Sequence, residues 1–223
     1  DLREGAFARH SAKPLISGHS SDELWGLDTH PTLPEYVSVG DDCYLRFWHL
    51  HTRQQMGQLS MGSMARCVAY APTGFAVAVG FGGRVGRTSR VRASKQDGMV
   101  RVYSTKLNPA AALGDNTATY SKLAQVRDAK QWISDVKFSP QGDSLAVGSH
   151  DNAIYVYAVS WSVGPDKTQV KSAQLKLVSK FSKHNSYITH LDYSVDGRFL
   201  QSNCGAYELL FSNATNGQQI TSA

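Results

Sequence analysis

Gly18-His19, then Tyr36-Val37-Ser38-Val39-Gly40-Asp41-Asp42, then Phe47-Trp48 mark the start, middle and end of a unit that the chain repeats four times. Each unit reads strand, turn, strand, aspartate, five residues and an aromatic, with a period of about forty residues, the spacing of a propeller blade. Aligned on the closing aromatic, the copies give Asp42 to Trp48, Asp97 to Tyr103, Asp151 to Tyr157 and Gly205 to Phe211. An alternating strand precedes each copy, over 24–28, 66–70, 133–138 and 188–193, and runs into a turn rich in Pro, Gly or Asp. Such a unit cannot bury its own apolar face and must stack on its neighbours. The expected fold is therefore all-β, a β-propeller segment of about four four-stranded blades.

Outer strands are legible at 13–17, 54–60, 119–126, 173–181 and 217–222, one more than the sets of inner strands. Residues 1–18 are accordingly expected to end a preceding blade. Blades then follow at 19–60, 61–126 with a basic insertion at 82–95, 127–181 and 182–223, as part of a larger propeller. Polar connections are expected at 106–118 and 160–171, at the far end of the blades.

His19, Ser38, Asp42 and Trp48 stand where WD-repeat proteins hold a hydrogen-bonded tetrad that ties the turns of one blade together. Ser, His and Asp are also the parts of a nucleophilic triad, but a triad needs an exposed nucleophile and an oxyanion hole. Asp recurs at the same offset as Asp97 and Asp151, which is how scaffolding behaves, whereas an active site occurs once. The reading is structural, with Asp97, Asp151 and His184 as counterparts in the later copies. Copies two and three have no histidine at the position of His19, so their tetrads are incomplete.

Other chemistry-bearing motifs resolve the same way. The glycine run at 80–86 lacks both the helix N-terminus and the Lys-Ser/Thr pair of a phosphate loop. Cys43, Cys67 and Cys204 are scattered, with no short-spaced pair for zinc, and read as small strand or core residues of a reducing compartment. His49 and His51 flank Leu50 without a third ligand in view and read as solvent-facing. Asn213-Ala214-Thr215 fits a glycosylation acceptor, but no signal peptide opens the sequence. No catalytic residue, metal ligand or cofactor is expected.

The chain is 41% hydrophobic and 18% charged, with no apolar run long enough to span a bilayer, so no membrane partner is expected. Its net charge of +5 favours an acidic partner. Five of the basic residues, Arg84, Arg87, Arg90, Arg92 and Lys95, fall in the insertion at 82–95, which contains no acid. That insertion is either a solvated loop or a partner-binding site on the end of the blade that carries the Gly-His turn. No aromatic interleaves its arginines, which argues against nucleic acid.

Three stretches are more specific than a generic WD repeat. Gly18-His19-Ser20-Ser21-Asp22-Glu23-Leu24-Trp25-Gly26-Leu27 resembles the run that opens a blade in the echinoderm microtubule-associated protein-like family. Ala146-Val147-Gly148-Ser149-His150-Asp151-Asn152 followed by Ile154-Tyr155-Val156-Tyr157, and His184 to Ser194 continuing through Leu200-Gln201-Ser202-Asn203 to Tyr207-Glu208-Leu209-Leu210, are similar to that family's next signatures in the same order. Ala206 replaces the Asp that tends to precede Tyr-Glu in the family, and the basic insertion lies outside the family pattern. The resemblance implies a tandem atypical propeller and a non-enzymatic, microtubule-associated protein. Its partners would be tubulin, microtubules and other cytoskeletal or axonemal proteins. Its location would be the cytoplasm and cytoskeleton, including the cilium, flagellar axoneme or spindle. The alternative is a general WD-repeat interaction scaffold without tubulin affinity.

Overall fold

The computed structural model describes residues 18–19, 23–83, 98–105, 120–164 and 170–221. Sixteen strands there form four antiparallel sheets, each a meander of four consecutive strands. The first blade comprises β1 (Leu24–Thr29), β2 (Glu35–Gly40), β3 (Tyr44–His49) and β4 (Gln55–Ser60). The second comprises β5 (Ala65–Tyr70), β6 (Ala76–Phe81), β7 (Val100–Ser104) and β8 (Lys122–Val126). The third comprises β9 (Ile133–Phe138), β10 (Ser144–Ser149), β11 (Ile154–Val163) and β12 (Val170–Phe181). The fourth comprises β13 (Ile188–Tyr193), β14 (Phe199–Cys204), β15 (Leu209–Asn213) and β16 (Gln219–Ile220). The outer strand expected at 13–17 lies outside the described residues.

Turn chemistry sets the inner hairpins. Gly74, Gly142 and Gly197 occupy the same turn position at φ of +73°, +75° and +73°, and each donates its N–H to the residue three earlier, Ala71, Ser139 or Ser194. A side chain is strained at that φ, so glycine is the residue that lets these turns close. The innermost strand pair of every sheet also carries a bulge, between Leu24 and Gly26, Ala65 and Cys67, Gly148 and Ser149, and Ile188 and His190. It bends each inner strand at one place and aims its first residues across the blade end.

Period-two alternation then builds three cores between four blades. In β6, Val77 and Val79 meet Val37, Val39, Leu45 and Phe47 of the first blade, while Ala76 and Ala78 face the third. Ile154, Val156 and Phe181 of the third blade pack on Ile188, Leu191 and Leu200 of the fourth. Strands sandwiched in this way are apolar on both faces, and β6 is buried along its whole length. The inner strands β1, β5, β9 and β13 pack successively side by side. The four blades make an arc that does not close into a ring. The outward face of the last blade presents Leu209 and Phe211, 53% and 43% exposed, as expected of an open array.

Two sequence expectations are corrected. At its two described ends the polar connection over 160–171 is strand, since β11 runs on to Val163 and β12 starts at Val170. Val159 pairs with Leu175 and Trp161 with Ala173, and Trp161 donates its indole N–H to the Gly142 carbonyl at 2.8 Å, so the hairpin has a packed face of its own. The fourth copy is also displaced by one residue. Cys43, Asn152 and Tyr207 share φ near +64° with the values 65°, 64° and 63°, and Gly98 has φ +76°, one position after the repeat's aspartate. Ala206 therefore occupies the Asp42 position and Ser212 the Trp48 position, in place of Gly205 and Phe211.

Candidate functional site

The polar cluster of the first blade forms where the β2–β3 hairpin turn meets Gly18-His19. Trp48 donates its indole N–H to Ser38 Oγ at 2.7 Å. With that acceptor position filled, the Ser38 hydroxyl donates to His19 Nε2 at 2.8 Å, and His19 Nδ1–H donates to Asp42 Oδ1 at 2.9 Å. Arg46 completes the set, donating to Asp42 Oδ2 at 2.9 Å and to the Gly18 carbonyl at 3.0 Å. Ser38 is 2% exposed. A buried hydroxyl clamped by an indole is no nucleophile, so the arrangement ties the turn to the preceding strand.

The third and fourth blades reach the same end by different residues. In the third, Asp151 Oδ2 accepts the Lys130 backbone N–H and the Tyr155 hydroxyl, both at 2.8 Å, while Tyr157 donates to Asp128 at 2.9 Å. Burial and the nearby carboxylates push both tyrosine pKa values up. In the fourth, His184 Nε2 lies 2.8 Å from Ser202 Oγ, but Ala206 brings no carboxylate. Glu208 takes that place from two residues further on, with Oε2 at 3.4 Å from His184 Nδ1. The Asn185 backbone N–H first, then the Cys204 thiol and the Asn185 amide, hold the Glu208 carboxyl down to about 2. His184, Cys204 and Glu208 thus converge, three ligand-type side chains that the sequence reading did not join.

The concave side of the arc holds a cleft of about 420 Å³ walled by the inner strands. Asp135 sits in its wall, where burial raises the carboxyl above its ordinary value against the opposing pull of the Leu191 N–H, Lys137 and His190. At the mouth, a second cleft of about 380 Å³ is lined by rings from the first, third and fourth blades and by Arg66 from the second. The Arg66 guanidinium lies between Trp25 and Trp132, 4.3 and 4.9 Å from the ring centroids, and forms an ion pair with Asp41 at 2.9 Å. Trp132 is followed by His150 at 5.2 Å, and His150 stacks on Tyr187 at 4.6 Å. Desolvation, then Arg66, hold the His150 pKa below its ordinary 6.5. Trp25 and Tyr187 remain 50% and 43% exposed. This row of rings and one guanidinium crosses all three blade junctions and suits a peptide chain better than a small molecule.

A family model described as the echinoderm microtubule-associated protein second beta-propeller matches residues 24–223. The chain belongs to the echinoderm microtubule-associated protein family. It is 33% identical over 204 residues to human echinoderm microtubule-associated protein-like 3, covering 92% of this chain and 19% of that protein. It is 35% identical over 209 residues to the rat echinoderm microtubule-associated protein-like 2, covering 94% and 27%. It is 31% identical over 206 residues to the 77 kDa echinoderm microtubule-associated protein of Strongylocentrotus purpuratus, covering 92% and 25%. The chain thus spans about a fifth to a quarter of the length of these relatives.

Within this echinoderm microtubule-associated protein propeller, His19, Ser38, Asp42 and Trp48 come together and His184 and Asp151 occupy related turns. Asp97 and the basic residues Arg84, Arg87, Arg90, Arg92 and Lys95 lie outside the described residues. Arg46, Glu208 and the mouth residues were not foreseen. Arg46 had a legible signal, since it alternates with Trp48 on one face of a strand four residues after Asp42. The ring row had none, because its members are drawn from all four copies.

Proposed function

We propose that the chain is a non-enzymatic, microtubule-associated WD-repeat propeller that binds tubulin or proteins already on microtubules. The observation that carries this reading is the match of residues 24–223 to the second propeller of the echinoderm microtubule-associated proteins. The chemistry is that of docking. The charge of +5, with five basic residues and no acid between 82 and 95, suits the acidic tubulin surface. Gly82 and Gly83, the first two residues of the 82–95 stretch, lie beside the Arg66 side chain that lines the mouth. Tubulin contact through Arg84, Arg87, Arg90, Arg92 and Lys95, and residence on cytoplasmic, spindle or axonemal microtubules, belong to this proposal.

The ring-lined mouth favours a second reading, in which the propeller is a platform for peptide segments of other proteins and has no tubulin affinity. Imaging of the tagged full-length protein separates the two. Filaments that vanish when microtubules are depolymerised support the first, and a diffuse signal unchanged by depolymerisation supports the second.

A further inference from the structure

We propose that His184 Nδ1, Cys204 Sγ and Glu208 Oε2 form a binding site for a zinc-class divalent cation in the fourth blade. The three atoms lie within 4.8 Å of one another, with Glu208 Oε2 3.4 Å from the histidine nitrogen and 3.1 Å from the sulfur. Tetrahedral zinc with its usual bond lengths places N, O and S ligands about 3.3–3.6 Å apart, so both Glu208 contacts are near ligand spacing and the histidine nitrogen and the sulfur, within 4.8 Å of each other, draw together on binding.

The first blade shows why this is more than a worn copy of its polar cluster. There His19 has both nitrogens satisfied, and Trp48 feeds Ser38 from outside. In the fourth blade Ser212 replaces that indole, which leaves Ser202 Oγ free to accept from the ring at 2.8 Å while its hydroxyl donates to the Leu210 carbonyl at 3.5 Å. When Ser202 donates there, His184 Nε2–H donates to Ser202, and Nδ1 is left with its lone pair. That nitrogen is fully buried, with the His184 side chain 0% exposed, and its contact with Glu208 Oε2 at 3.4 Å is too poorly directed to satisfy it as a hydrogen bond. It faces a carboxylate oxygen and a thiol sulfur. Three electron-pair donors then converge with a single thiol proton among them, a repulsive arrangement that a cation relieves.

The surroundings are those of a ligand set held in place. Ser202 holds the histidine ring at 2.8 Å, and the Asn185 backbone N–H and side-chain amide orient the Glu208 carboxylate. One nitrogen, one sulfur and one oxygen select zinc over magnesium or calcium, which take oxygen ligands. Binding forms the sulfur–metal bond as the Cys204 thiol releases its proton to solvent. The Glu208 side is a quarter exposed, which leaves a fourth position open to water.

The test is titration of the full-length, metal-stripped protein with Co²⁺, followed by displacement with Zn²⁺. The expected result is a thiolate-to-cobalt charge-transfer band at one equivalent that zinc removes. Cys204→Ser abolishes the band, whereas Cys43→Ser leaves it intact. Glu208→Gln, which keeps the volume and the thiol, weakens cobalt binding by about 10–100-fold or more, with circular dichroism showing the fold retained. No band, a band surviving in Cys204→Ser, or unchanged affinity in Glu208→Gln overturns the proposal and leaves the cluster a purely hydrogen-bonded one.

Discussion

Asp28 of β1 accepts the Tyr70 backbone N–H of β5 at 2.7 Å, so a carboxylate of one blade holds the inner strand of the next. Asp135 of β9 repeats the contact on Leu191 of β13 at 3.0 Å. While at one of the three junctions the Cys67 thiol of β5 reaches the Ile133 carbonyl of β9 at 3.8 Å, these two aspartates add charged, directed bonds at the other two. Each also accepts the N–H of its own next residue, Thr29 or Val136, which fixes the carboxylate. Asp28→Ala removes a charged acceptor and is expected to destabilise the protein by about 1.5–3 kcal/mol, while Asp28→Asn recovers part of the loss. Urea denaturation of both variants measures the difference.

The polar cluster of the first blade acts as a unit. Ser38→Ala leaves the Trp48 indole N–H and His19 Nε2 without a partner, and is expected to cost about 1–3 kcal/mol. Trp48→Phe in the same chain removes one of those orphaned groups, so the double variant should lose less than the sum of the single ones. A urea double-mutant cycle checks this. An additive result would mean that Trp48 and Ser38 contribute independently.

The packing between blades makes its own prediction. Ile133 is fully buried between the second and third blades, and its Cγ2 lies in the space a Cβ on Gly80 would occupy. Ile133→Ala should cost about 2–5 kcal/mol and Ile133→Val about 0.5–1.5. Gly80→Ala should destabilise by overpacking, since its new methyl would meet Ile133 and the Cys67 sulfur at 2.5 Å. Thermal denaturation ranks the three.

His150 gives the pH dependence a sign. Its pKa is held below the ordinary 6.5 in the folded chain, first by desolvation and then by Arg66. Above pH 6.5 the ring is neutral in both folded and unfolded chains. As pH falls through 6.5 the unfolded chain takes up a proton that the folded chain does not, and stability is lost down to the folded pKa. His150→Phe keeps the stacking on Tyr187 and should flatten the fall in melting temperature between about pH 7 and 5. An equally steep fall in the variant would assign the effect to other groups.

The legible part of this protein is what repeats. Alternation in stretches such as Ile133 to Phe138 and the Asp-to-aromatic spacing of Asp42 and Trp48 reflect local geometry, and local geometry leaves a period in the sequence. What was not legible is what crosses between copies. The Asp28 contact on Tyr70 spans 42 residues, and the row through Trp25, Arg66, Trp132, His150 and Tyr187 takes its members from all four blades. The fourth copy slipped because Ala206 and Ser212 lack the marker side chains, and its register shows in the left-handed turn residue Tyr207 and in the pairing of Leu200 with Ser212. Glu208 was missed because it replaces the aspartate from a different position on the same turn.

The most direct test of the account is co-sedimentation of the protein with polymerised microtubules over a range of salt, alongside a variant with Arg84, Arg87, Arg90, Arg92 and Lys95 all changed to Ala. The account predicts that the natural protein pellets, that salt releases it, and that the variant binds more weakly with a shallower salt dependence. Protein that stays in the supernatant with microtubules at every salt concentration would contradict it.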